Sequence, residues 1–82
     1  MDDDHDRESP VPLYEQLAAV LRATIEAGTL TARVPSEPTL VQQYGVSRGT
    51  AGRAVQILVD AGYVKISPGK GAFVVPPSER RA

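Results

Sequence analysis

Arg48 and Arg53 stand five positions apart in the stretch "SRGTAGRAVQ", with Gly49 beside the first and Gly52 beside the second. A guanidinium offers its donors in a fixed planar fork, which suits bidentate contact with a phosphate or a base edge. A neighbouring glycine carries no side chain, so another surface can come close to the backbone. A third cation, Lys70, is framed by Gly69 and Gly71 in "SPGKGAF". The chemistry on offer is non-covalent recognition of anions and polar edges. Covalent chemistry has no comparable candidate. The chain has no cysteine, which excludes disulfides, thiolate zinc sites and cysteine nucleophiles and fits a reducing cytoplasm. Its one histidine, His5 in "DDDHD", reads as part of a solvated acidic tail rather than a metal site. Arg33, Glu37 and Asp60 lack partners for general acid–base work, and there is no phosphate-binding glycine loop. The expectation is a protein that is not an enzyme and holds neither cofactor nor metal.

Net charge is −1 over 82 residues, but the sum hides a division. Asp2, Asp3, Asp4, Asp6 and Glu8 crowd the start of the chain with Arg7 as their only opposing charge. The remainder carries eight basic and five acidic residues, about +3. Such asymmetry permits a polyanionic partner without requiring one. No apolar run reaches the roughly 18 residues of a membrane span, so no membrane partner is expected. The acidic N-terminus is also unlike the basic start of a signal peptide.

The elements that must position the three cations follow from periodicity. "PLYEQLAAVLRATIEAG" reads as a first helix, with Pro12 at its first position and Gly28 just past its end. Leu13, Leu17, Leu21 and Thr24/Ile25 form its apolar stripe, flanked by Tyr14 and Ala18. "TLTARV" is a brief extended segment. "PSEPTLVQQYG" opens a second helix capped by Ser36, with Pro38 tolerated in the first turn, and Gly45 ends it. Ser47 caps a third helix running to Asp60 or Ala61. Its buried face is Ala51, Ala54, Val55 and Leu58, which puts Gly49, Gly52, Arg53 and Gln56 on the other side with Arg48 near the start. "YVKIS" and "AFVV" around "PGKG" make a hairpin with a basic tip.

Helix, short strand, helix, turn, helix, hairpin is a winged helix-turn-helix: an α+β, mainly α fold of three helices, a C-terminal β-hairpin wing and a short strand before the second helix. It occupies residues 10–76, between an acidic disordered tail at 1–9 and a disordered C-terminus at 77–82. A glycine-rich basic hairpin tip suits contact with phosphates or a minor groove.

The segments "PLYEQLAAVLRATIEAGTL", "VPSEPTLVQQYGVSRGTAGRAVQILVDAGYV" and "PGKGAFVV" resemble the N-terminal DNA-binding domain of the GntR family of bacterial transcription regulators, from about Pro12 to Val75. The resemblance implies that Ser47, Arg48, Thr50 and Arg53 lie at the DNA-facing start of the recognition helix, 47–61. It implies that Arg48 reads bases or phosphates, and that Gly69 and Lys70 carry a wing, 67–71, to the backbone or minor groove. Ser36, Gly49, Gly52 and Gly71 complete the expected DNA-binding set.

Departures from the family pattern bear on this set. Pro38 stands where an arginine is usual, and "SRGTAGRA" stands where "SRTTVRRA" is common, so Gly49 replaces a threonine and Gly52 an arginine. The family attaches a large effector-binding, dimerising domain after the wing, whereas this sequence ends seven residues past Val75. The resulting expectation is a cytoplasmic, nucleoid-associated regulator of double-stranded DNA, of repressor type and without an effector domain. It acts as a homodimer on a two-fold operator or with a separate regulatory protein. The alternative is a winged-helix protein-interaction module that has lost most of its DNA contacts.

Overall fold

The computed structural model describes residues 11–80. The expected acidic tail and residues 81–82 lie outside the described residues.

Helix α1 spans Leu13–Glu26 and begins one residue later than expected: Pro12 is extended, at φ −61° and ψ 153°, and precedes the helix. Leu17, Ala18, Leu21 and Ile25 are buried, whereas Leu13 is 44% exposed. Helical drift explains the correction. At about 100° per residue, Leu13 falls roughly 95° from the centre of the buried face, and Tyr14 falls close to it. Gly28, at φ +82°, turns the chain out of the helix, as its place in the sequence predicts.

The expected short strand before the second helix is reduced to a single bridge, Arg33 opposite Phe73. Two backbone bonds flank it, from Val34 N to Ala72 O at 2.9 Å and from Val74 N to Ala32 O at 2.6 Å. Pro35 has no N–H with which to extend the ladder.

Helix α2, Glu37–Tyr44, is capped by Ser36, whose hydroxyl accepts from Thr39 N. Its one buried residue is Leu40, with 0% exposure. Gly45 closes it in the left-handed region at φ +69°. Helix α3, Arg48–Asp60, is capped by Ser47 and buries Ala51, Ala54 and Leu58. Val55, expected in that set, is half-buried on the rim of the face. The small side chains of Ala51 and Ala54 let α3 lie close against its neighbours, and fully buried Leu58 joins Leu21 and Leu40 at the centre of the core.

Strands β1, Val64–Ser67, and β2, Gly71–Val74, pair antiparallel from Val64↔Val74 at the root to Ser67↔Gly71 at the tip. Val64 and Val74 are buried, yet Ile66 is 55% exposed. The hairpin extends past the helices that cover its root, so alternation yields a buried side only there.

The C-terminal stretch departs from the expected fraying as far as Arg80. Pro77–Glu79 form a 3₁₀ turn, and Arg80 Nε donates to Val75 O at 3.0 Å while its guanidinium lies 4.8 Å from the centre of the Tyr63 ring. A stacked and hydrogen-bonded arginine offsets the entropy that would otherwise loosen the turn.

Candidate nucleic-acid interface

Helices α2 and α3 bring their N-termini toward the wing across an open groove of about 740 Å³, lined by Ser36, Glu37, Pro38, Arg48, Gly52, Val55, Gln56, Ile66 and Gly71 among others. Each helix start is fixed by the same local device. Ser36 Oγ accepts from Thr39 N at 3.4 Å and pairs with the Thr39 hydroxyl at 3.0 Å. Ser47 Oγ accepts from Thr50 N at 3.1 Å and donates to the Thr50 hydroxyl at 3.0 Å. Ser36, Ser47 and Thr50 therefore have helix-capping work whatever else they touch.

Arg48 emerges exposed from the first turn of α3. A cation there opposes the helix dipole, so its position is not explained by helix stability. Gly49 faces open space: the only atom near a Cβ built on it is Ser47 Oγ, at 3.9 Å. Gly52 differs. A Cβ there would lie 2.9 Å from Glu37 Oε2, so the carboxylate of α2 rests where a side chain on α3 would begin. Arg53 does not project with Arg48. Its guanidinium is stacked 4.7 Å from the centre of the Tyr14 ring on α1, and the groove is lined by Arg48, Gly52 and Gln56 but not by Arg53. The expected bare face is thus divided. Arg48 and Gly49 are open, Gly52 is covered by an acid, and Arg53 is turned to an aromatic ring by cation–π attraction.

Wing geometry depends on Arg33, a residue outside the helix-turn-helix and the hairpin. Arg33 donates from Nη2 to Lys70 O, and its guanidinium lies against Gly71, whose φ of +117° already favours glycine. The same group sits 5.8 Å from the centre of the Phe73 ring. Lys70 N donates to Ser67 O at 2.9 Å, and Gly69 at φ +76° supplies the left-handed residue of that turn. Lys70 is exposed at the tip. Proximity of Arg33 to the tip is a tertiary fact, and only a pairing between "TARV" and "AFVV" would have signalled it.

A second charged cluster lies outside the groove. Tyr63 Oη donates to Glu26 Oε2 at 2.7 Å, and Arg22 Nε reaches the same oxygen at 3.4 Å. The tyrosine hydrogen bond, foremost, holds the Glu26 carboxyl below the usual carboxylate range. Among the described residues the side chains of Arg22, Arg33, Arg53 and Arg80 are all engaged. Those of Arg48, Lys65 and Lys70 are not. The unengaged cations stand on α3 and the wing. No group of three or more potential metal-ligating side chains occurs among the described residues.

Three helices followed by a two-stranded antiparallel wing make this a winged helix-turn-helix domain. Residues 13–74 match the family described as bacterial regulatory proteins, gntR family, and the chain belongs to that family. It is 40% identical over 75 residues to the HTH-type transcriptional regulator YurK of Bacillus subtilis, across 89% of this chain and 31% of that protein. It is 37% identical to the histidine utilization repressor of Klebsiella aerogenes, across 93% of this chain and 32% of the repressor. The chain thus spans under a third of the length of these curated relatives. The AraR DNA-binding domain in complex with operator ORR3 superposes with a TM-score of 0.76 at 34% identity, covering 83% of this chain and 84% of that one. These relatives are transcription regulators, not enzymes.

Proposed function

We propose that this domain binds specific sequences of double-stranded DNA as a transcription regulator of repressor type. The start of α3 enters the major groove, and the wing, 67–71, lies on the backbone or in the minor groove. The observation that carries this reading is the placement of the unengaged cations: Arg48 at the head of α3, Lys65 and Lys70 on the hairpin. Each other described arginine is neutralised, stacked or hydrogen-bonded within the fold. An arginine held against a helix dipole with no internal partner is poised for an external anion or base edge. Few cations are free, so affinity is modest and its fall with salt is limited by the small number of phosphates they neutralise. Two copies on a two-fold site supply what one lacks, with a separate regulatory protein as the other route to control. The setting proposed is the cytoplasm, at the nucleoid; no helix among the described residues is long and apolar enough to cross a membrane.

A footprint on duplexes from the region flanking its own gene, at about 50 mM salt where phosphate contacts are strong, tests the reading. A protected site is expected, and Arg48→Ala should weaken binding to it about ten-fold or more, the size of one good base contact. Full affinity in that variant would remove Arg48 from the interface. Failure of the unaltered chain to bind any duplex would instead favour the protein-interaction module, which the covered Gly52 and the stacked Arg53 would suit.

A further inference from the structure

Glu37 is an acid on a surface read as DNA-facing, and repulsion from phosphate should disfavour it there. It is exposed, it occupies the first position of α2, and it lines the groove between α3 and the wing together with Arg48 and Gln56. Its carboxylate is not directed along its own helix. Oε2 and Cδ lie 2.9 and 3.5 Å from the point where a Cβ on Gly52 would be, so the head group rests on bare backbone of α3. Any other residue at 52 would begin in the space that the carboxylate fills. No ion pair or hydrogen bond within the described residues engages the Glu37 carboxylate.

A carboxylate accepts hydrogen bonds and donates none. The major groove offers two base amines as donors, cytosine N4 and adenine N6; the N7 acceptor beside adenine N6 repels a carboxylate, which leaves cytosine N4 as the donor that an acid reads. Phosphates are excluded as partners by charge. We propose that Glu37 is a specificity-determining residue that selects a cytosine in each half-site, and that Gly52 is the positioning residue that lets a side chain of α2 reach the base edge over α3. Glycine at 52 then does more than remove an arginine from the recognition helix. It transfers reading of that position to the neighbouring helix and reverses the sign of the reading group.

The inference rests on the DNA-binding reading, and its test separates the two. Base preferences of the unaltered chain, Glu37→Gln and Gly52→Ala are measured by selection from randomised duplexes, followed by titration against single-base variants of the selected site. Thermal melts confirm that each variant is folded; alanine favours helix over glycine, so Gly52→Ala should remain so. The unaltered chain should prefer one C·G pair per half-site about ten-fold over its replacements, as expected for a single base contact. Glu37→Gln should shift preference at that pair from C·G toward A·T, whose adenine N6 and N7 suit a glutamine, and leave the other positions unchanged. Gly52→Ala, whose methyl displaces the carboxylate, should flatten preference at the same pair. Identical preferences in the unaltered chain and Glu37→Gln would overturn the proposal, as would a uniform gain in affinity for every duplex, which is mere relief of repulsion. Loss with Glu37→Gln but none with Gly52→Ala would overturn the role given to Gly52. A change confined to a pair at which the unaltered chain prefers A·T would overturn the cytosine assignment. Failure of the unaltered chain to select any duplex would count against DNA binding itself.

Discussion

Helices α2 and α3 start in the same way and then diverge. Each begins with an extended serine, Ser36 at φ −66° and Ser47 at φ −75°, both with ψ of 163°. In each, the hydroxyl accepts from the N–H of a threonine three residues on. Between cap and threonine, α2 places Glu37 and Pro38, and α3 places Arg48 and Gly49. The first pair suits a helix N-terminus, where an acid meets the positive end of the dipole and proline lacks only a hydrogen that had no partner. The second pair suits it poorly on both counts. The caps encode the fold, and the residues between them are where stability is given up on α3 and retained on α2.

The comparison extends to the core, to which α2 contributes one buried residue, Leu40, with Val41 packed beside it, and α3 contributes three. Leu40→Ala should therefore cause the largest loss in this set, about 2–5 kcal/mol for a fully buried leucine, read as a fall in urea midpoint. A loss below 1 kcal/mol would mean that α2 is anchored by its caps rather than its core. The caps come next. Ser47→Ala and Ser36→Ala should each cost about 1 kcal/mol, with the greater loss at Ser47, whose bond is shorter, 3.1 against 3.4 Å. Reversed order would break the parallel between the two starts.

The glycines sharpen it further. Gly49→Ala adds a methyl in open space and should stabilise α3 by up to about 1 kcal/mol, the helix-propensity difference. Gly52→Ala should yield less, because Glu37 must move aside. Equal gains would show that the carboxylate costs nothing to displace. The smallest effect lies outside both helix starts. The Glu26 carboxyl is held low mainly by Tyr63, so its contribution to stability is present above the unfolded carboxylate pKa and is lost as pH falls through the lower folded value. Tyr63→Phe should flatten that acid-side slope, visible in melts across the carboxylate range, by lowering stability slightly at neutral pH and leaving it unchanged at the acid end. An unaltered slope would assign the depression to Arg22 instead.

Much of this is legible in the sequence. Ser36, Ser47 and Gly45 announce themselves because caps and left-handed turns are local devices set by a few adjacent residues. The basic wing tip was equally plain from "SPGKGAF". What could not be read is what depends on a second element. Leu13 has the right type for the α1 stripe but the wrong angle, and Ile66 alternates properly but outruns the core. Within the candidate interface, Arg48 is exposed at the head of α3. Arg53 meets Tyr14, and Gly52 is covered by Glu37 from another helix; neither pairing has a signature in the spacing of residues on α3. The extended segment before α2 reads as a strand from its β-branched residues, yet Pro35 limits it to one bridge.

Arg33 gives the hairpin a property that its own strands could not supply. A two-stranded ribbon is marginal in water, and its free end would swing relative to the helices. Because one guanidinium from the approach to α2 grips the Lys70 carbonyl and lies along Gly71, the tip is indexed to the helical frame. The distance between helix head and wing tip becomes a ruler built into the domain, and lengthening the chain between Arg33 and Ser36 would recalibrate it.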